Sequence, residues 1–90
     1  MKPIHFTRHA RLRMEERGAT EDDVREAIRT GDRESAKRGL SLYRSNFEFQ
    51  KEWAGEYYAV KQVAPVVDEE AERFVVITVY TFYFSLGETR

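Results

Sequence analysis

On a helix that begins at Arg8, the side chains of His9, Arg13 and Arg17 recur every four residues and fall along one edge. An imidazole with two guanidinium groups is a set suited to a phosphate. The imidazole can act as general base near neutral pH, and the guanidinium groups can stabilise charge that develops on a phosphoryl oxygen. A plainer reading of the same stripe is equally open: Arg13 and Arg17 pair with Glu16, Glu21 or carboxylates of a sheet, and His9 is a structural histidine. His5 precedes His9 by four residues, a metal-ligand spacing if both lay on one helix, but Pro3 argues against that. With no cysteine and no carboxylate to complete a set, no metal and no cofactor are expected.

A second group of candidates lies in the last apolar run, Phe74 to Phe84, which is β-branched and aromatic and reads as a central strand. Strict alternation puts Thr78, Tyr80, Phe82 and Phe84 on one face and Val75, Ile77, Val79, Thr81 and Tyr83 on the other. Val75, Ile77 and Val79 read as core. Thr78 and Tyr80 then face the open side, where a phenol can stack on a base, hold a phosphate or donate a proton. Lys61, Arg44, Tyr57 and Tyr58 are candidates for binding from neighbouring strands, and Trp53, beside a turn, reads as partial core or an interface anchor. Against all of these stands the fact that Thr and Tyr are simply good strand formers.

These residues need elements to hold them. Pro3 to Phe6 reads as a short extended entry, Thr7 as an N-cap, and Arg8 to Arg17 as a helix released by a left-handed Gly18. Thr20 and Asp23 form a capping box for a second helix, whose apolar face is Val24, Ala27 and Ile28 and which stops at Gly31. Asp32 to Gly39 reads as a polar linker between a helical head, residues 1–31, and a sheet over residues 40–86. Within the sheet, the phase of alternation predicts a break near Arg44 to Asn46, a turn at Ala54-Gly55, an extended run from Glu56 to Val67 interrupted by Pro65, and a charged loop from Asp68 to Arg73. The expected fold is α+β: two N-terminal helices packed on a three- to four-stranded antiparallel sheet, one face of which stays open.

Ninety residues with 41% hydrophobic and 34% charged side chains make a single domain with a thin core. Lack of cysteine excludes disulfides, thiolate metal sites and cysteine nucleophiles, and fits a reducing cytoplasm. No signal-peptide run and no membrane-length apolar run is present, which predicts a soluble, unprocessed protein. The net charge of −1 shows no global positive field, yet it is unevenly distributed. Residues 1–18 carry five basic against two acidic side chains, or +3, while residues 40–90 carry five against eight, or −3. Eleven of the twelve aromatic residues follow Leu40, so the basic end and the aromatic end are different parts of one core. No Walker loop, G-x-G-x-x-G, H-E-x-x-H or G-x-S-x-G occurs, and ATPase, dinucleotide, zincin and serine-hydrolase functions have no support.

The segment F-T-R-H-A-R-L-R-M-E-E-R-G-A-T-E-D-D-V-R-E-A-I, Phe6 to Ile28, resembles a bacterial domain-of-unknown-function family whose members open with F-x-x-H-A-x-x-R-M-x-x-R-G and an acidic second helix. The run V-V-I-T-V-Y, Val75 to Tyr80, looks like that family's closing strand. The middle, Leu40 to Val67, does not take part in the likeness. The family is similar in length and pattern to the RelE-like and BrnT-like toxins of toxin–antitoxin pairs, compact ribonucleases that cleave without metal. That resemblance implies a RelE-like fold, with His9, Arg13 and Arg17 at the family's histidine and arginines and Thr78 and Tyr80 at the polar positions of the last strand. It implies RNA as substrate and a cognate antitoxin as partner. Three functions from different classes follow: an endoribonuclease in which His9 deprotonates a 2′-hydroxyl, Arg13 and Arg17 stabilise the phosphate and Tyr80 positions or protonates the leaving oxygen; a non-catalytic module that holds RNA or protein; and a structural homodimer.

Overall fold

Both helices begin and end at residues able to satisfy their free backbone groups. The computed structural model describes residues 1–85. Helix α1, Arg8–Arg17, starts at Thr7, whose side chain accepts from the Ala10 N–H at 3.0 Å, and ends at Gly18 with φ +76°. Helix α2, Glu21–Thr30, is closed by the reciprocal Thr20 and Asp23 capping box at 3.0 Å in each direction and stops at Gly31. Ala10 and Met14 of α1 and Val24, Ala27 and Ile28 of α2 turn inward, as their spacing predicts.

The sheet has five strands rather than three or four, and it is mixed rather than antiparallel. The strands are β1 (Ile4–Phe6), β2 (Asp32–Ser35), β3 (Ser41–Trp53), β4 (Glu56–Glu69) and β5 (Phe74–Phe84), in the order β1-β5-β4-β3-β2. β1 runs parallel to β5 through His5 and Val75, while every other pair is antiparallel. Three residues cannot show an alternation, so neither the pairing of β1 nor its direction is written in its side chains. The expected linker is also corrected, because Asp32–Ser35 forms the edge strand β2 and Lys37–Gly39 a single 3-10 turn. All four β2 side chains are exposed, and the strand is held by backbone pairing with β3 and by the surface ion pairs of Arg33 with Glu69 and of Glu34 with Arg44. Its polar, charged sequence suits an outer edge.

Two irregularities move the pattern within the sheet. The break in β3 lies between Glu48 and Lys51, with Gln50 at φ +48°, rather than near Arg44 to Asn46. Pro65 does not end β4: pairing with β3 skips Ala64 and Pro65, while pairing with β5 runs through both. β4 continues to Glu69, which shortens the expected charged loop at its start. In β5 the register shifts so that Val66 faces Thr78 and Val67 faces Val76, leaving Ile77 as the extra residue. Val76 therefore stands beside Val79 in the cluster under the helices, while Val75 is buried as expected but outside that cluster, and Ile77, expected in the core, is half-buried.

The core lies on one face of the sheet, between Phe6, Ala10, Met14, Val24, Ala27 and Ile28 and the strand residues Tyr43, Val63, Val67, Val76 and Val79. Among the described residues the outer edge of β5 has no strand neighbour beyond Val76, and α1 covers it. The Thr7 N–H and hydroxyl donate to the Val76 carbonyl at 3.2 and 3.0 Å, and the Arg17 guanidinium donates to the Val79 carbonyl at 2.8 Å. The hydroxyls of Thr81 and Tyr83 return to the Arg17 carbonyl at 2.9 and 2.7 Å. Helix α1 thus satisfies the edge in place of a sixth strand.

Candidate functional site

Neither helix covers the second face of the sheet. Residues that pair across antiparallel strands share a face, so Thr78, Tyr80 and Phe82 of β5 stand beside Val66, Ala64 and Gln62 of β4 on this side. Leu42 joins the row of Val66, and Asn46 the row of Gln62. Tyr80 and Phe82 are 42% and 38% exposed, values that leave ring surface open to solvent. Their rings stack at 6.4 Å, with the Arg17 guanidinium 5.2 Å from the Tyr80 ring and the Arg44 guanidinium 5.8 Å from the Phe82 ring. A continuous strip results, cation, ring, ring, cation.

The two guanidinium groups are held firmly. Arg17 is tied to the Val79 carbonyl at the edge of β5. Arg44 donates to Glu34 Oε2 and Gln62 Oε1, each at 3.0 Å, and Gln62 in turn donates to Asn46 Oδ1 at 2.9 Å. Gln62 is buried, with its amide oxygen bonded to Arg44 and its amide nitrogen to Asn46, which fixes the plane of Arg44 against the sheet. Fixed planes of this kind are surfaces on which a nucleobase can stack, and each keeps N–H groups for an anion.

The candidates named from sequence separate into those the fold gathers and those it does not. Arg17, Tyr80, Thr78 and Arg44 share or border the uncovered face. Lys61 does not: it is only 8% exposed, on the helix side, and donates to the Gly18 carbonyl at 3.0 Å and to Asp23 Oδ2 at 2.8 Å. Arg13 pairs with Glu16 at 2.6 Å, the plain solvation expected of a helix surface. His9 is exposed and has no polar partner among the described residues. At 1.5 Å per residue His9 lies about 12 Å along the axis from Arg17, more than the span of one phosphate.

Next to Tyr80 a groove of about 410 Å³ opens between the 3-10 turn and the sheet, lined by Ala36, Lys37, Arg38, Leu40, Leu42, Val66 and Tyr80. Sequence reasoning missed Lys37 and Arg38 because they stand in the presumed linker. Two adjacent cations before a glycine were the available signal. Arg38 has φ +61° and Gly39 φ +73°, consecutive left-handed residues that lift the turn over the sheet. The turn is closed by the Ala36 N–H on the Leu40 carbonyl at 2.8 Å and the Leu40 N–H on the Lys37 carbonyl at 3.2 Å.

The shifted ionisations lie away from this face. The Tyr43 hydroxyl and the Arg33 guanidinium donate to Glu69 at 2.7 and 2.8 Å and hold its carboxyl down to about 2. Burial, reinforced by the Asp23 carboxylate, pushes the Tyr83 phenol up to about 12 and keeps it a donor to Arg17. Tyr83 also stacks on Trp53 at 5.2 Å, so Trp53 packs the hairpin against the end of α1. These are structural groups.

Among the described residues no group of three or more His, Cys, Asp or Glu side chains is placed to hold a metal ion, and no helix is long and apolar enough to cross a membrane. A family model described as a domain of unknown function, DUF4258, matches residues 6–81. No curated protein and no solved structure matches the chain.

Proposed function

The chain belongs to the DUF4258 family, and we propose that it binds single-stranded RNA across the uncovered face of its sheet. The observation that carries this is the strip Arg17, Tyr80, Phe82, Arg44, with successive centres at 5.2, 6.4 and 5.8 Å. Single strands are held by aromatic faces that take bases of any sequence and by cations that follow the phosphates, and the strip alternates those two functions. Lys37 and Arg38 extend the positive charge past Tyr80.

The proximity of Arg17 and Tyr80 supports a second reading: a RelE-like or BrnT-like endoribonuclease that cleaves without metal and is held by a cognate antitoxin. In that case the phenol and the guanidinium flank one phosphate, while His9 and Arg13 meet the strand farther along α1. Binding is favoured over cleavage because His9, the base, is two helical turns from Arg17 and has no partner among the described residues that would orient it.

The test uses a labelled single-stranded RNA of about twelve nucleotides, followed by anisotropy in chelator at several salt concentrations. Stacking contributes about 1–3 kcal/mol per base, so the double change Tyr80→Ala and Phe82→Ala weakens binding by roughly tenfold or more. Equal affinity of that variant and the wild type refutes binding on this face. The same samples on a gel report cleavage: products lost in His9→Ala and Arg13→Ala support the nuclease, and intact RNA at high protein concentration removes it. Sedimentation that shows a dimer unaffected by these changes would favour the homodimer.

A further inference from the structure

The groove beside Tyr80 combines features that the strip alone does not have. Its floor is apolar, made by Leu40, Leu42 and Val66, one wall is the Tyr80 ring, and its rim carries Lys37 and Arg38. Neither cation has a hydrogen bond, ion pair or ring contact among the described residues, whereas Arg17 and Arg44 are tied to the protein. The turn that presents them is closed by its own backbone bonds and needs no ordering on binding. At about 410 Å³ the groove is at the small end of ligand sites, enough for one ring system with one charged group.

We propose that this groove takes one unstacked nucleotide, its base against Tyr80 and the Leu42–Val66 floor and its phosphate on Lys37 and Arg38. The assignment rests on RNA binding at the uncovered face and names its subsite. An apolar slot with an aromatic wall accepts the flat π-surface that every base has, and two free cations at its mouth meet the phosphate joined to it. Among the described residues no carboxylate or amide side chain lines the slot to read a base edge, so the site is tolerant of base identity and favours purines through their larger stacking area. A strand running along Arg44, Phe82 and Tyr80 reaches the groove at its Tyr80 end.

Amide spectra of the labelled protein, titrated with adenosine monophosphate, adenosine, inorganic phosphate and cytidine monophosphate, test the subsite. Adenosine monophosphate is expected to shift Leu40, Leu42, Val66 and Tyr80 saturably, with cytidine monophosphate within a few-fold and adenosine or phosphate alone weaker by roughly tenfold. Lys37→Glu and Arg38→Gly each weaken the nucleotide by roughly tenfold. Arg38→Gly keeps the fold because glycine accepts the left-handed conformation. If adenosine binds as tightly as its monophosphate, the role of Lys37 and Arg38 is refuted. If the monophosphate leaves these resonances unmoved while labelled RNA still binds, the subsite is overturned and the RNA face stands. Saturable monophosphate binding without any RNA binding supports the groove and overturns the RNA face. A glutamate-rich peptide that displaces the monophosphate at equal affinity overturns the subsite in favour of a protein partner.

Discussion

Lys61 separates fold from function, and replacing it with methionine isolates the difference. Its ammonium donates to the Gly18 carbonyl at 3.0 Å and to Asp23 Oδ2 at 2.8 Å, and side-chain exposure is 10% for Lys61 and 16% for Asp23. Methionine keeps the length of the stem but removes both bonds. The Gly18 carbonyl at the end of α1 then lacks its partner, and Asp23 keeps only the Thr20 N–H at 3.0 Å. Removing one member of a buried pair costs about 3–5 kcal/mol. Asp23 retains its cap and the favourable end of the α2 dipole, which places Lys61→Met near the lower limit, about 3 kcal/mol. For a domain of this size that is a fall in Tm of roughly 15 °C.

Urea unfolding followed by circular dichroism measures it, with the midpoint falling and the slope unchanged. Adding Asp23→Asn to Lys61→Met removes the unpaired charge while keeping an N-cap acceptor, and should recover about 1–2 kcal/mol. RNA affinity, measured below the melting range, should stay within about twofold of wild type, since Lys61 lies on the helix side of the sheet. A loss of stability below about 0.5 kcal/mol would refute the pairing argument. A large loss of RNA affinity in the folded variant would restore Lys61 to the binding set.

The carboxyl of Glu69 makes stability depend on acid. Because the folded protein holds it at about 2 against an ordinary 4.5, its contribution is complete above about pH 4.5 and is lost as the pH falls toward 2. Full linkage would be about 3 kcal/mol, and partial solvent exposure of the side chain, 29%, reduces this to about 1–2 kcal/mol. Urea midpoints at about pH 6 and pH 3 should converge in Glu69→Gln, and an unchanged difference would disprove the assignment. Gly18→Ala tests the joint between α1 and the hairpin: its Cβ would stand 2.6 Å from the Tyr83 hydroxyl and 2.8 Å from the Trp53 ring, at φ +76°. Conformational strain and overpacking together predict a loss of about 2–4 kcal/mol by thermal unfolding, and a neutral result would show that the Tyr83 and Trp53 stack yields.

Local signals were legible and tertiary ones were not. Thr7, Gly18, the Thr20 and Asp23 box and Gly31 act on backbone groups within a few residues, so the limits of both helices could be read directly from them. β5 was equally clear from its β-branched and aromatic run. β1 reads as extended, but its partner β5 lies at the far end of the chain, and the exposed Asp-Arg-Glu-Ser of β2, paired with the next strand β3, carries no apolar period. The bulge at Ile77 changes which valines meet the helices, but a smooth alternation from Val75 to Val79 contains no trace of it. Of the residues singled out from sequence, Arg17, Thr78, Tyr80 and Arg44 lie on or beside one face of the sheet. That Arg17 would cap the edge of β5 and border Tyr80 depends on where α1 docks, and that Lys61 would bond Gly18 and Asp23 depends on the register of β4.

Net charge is a poor guide to what this chain can bind, because most of its cations are already committed. Arg11 pairs with Glu21, Arg13 with Glu16, Arg25 with Glu21 and Asp22, Arg29 with Glu26, Arg33 with Glu69, Arg44 with Glu34 and Arg73 with Glu70, mostly at exposed positions where each is worth at most about 1 kcal/mol and projects little field. Lys61 is consumed in the core. Among the described residues, the Lys and Arg side chains with no hydrogen bond, ion pair or ring contact are Arg8, Lys37 and Arg38. Two of these three line the groove that adjoins the exposed Tyr80 ring of the uncovered face. A domain of charge −1 can therefore present a locally positive aromatic surface to a polyanion, because among the described residues its carboxylates pair with cations of the helices and strands and not with Lys37 and Arg38 of the turn over the sheet. Binding carried by so few cations should show a shallow dependence on salt, with about two or three counterions released, and a much steeper slope would mean that the strand also crosses the basic face of α1.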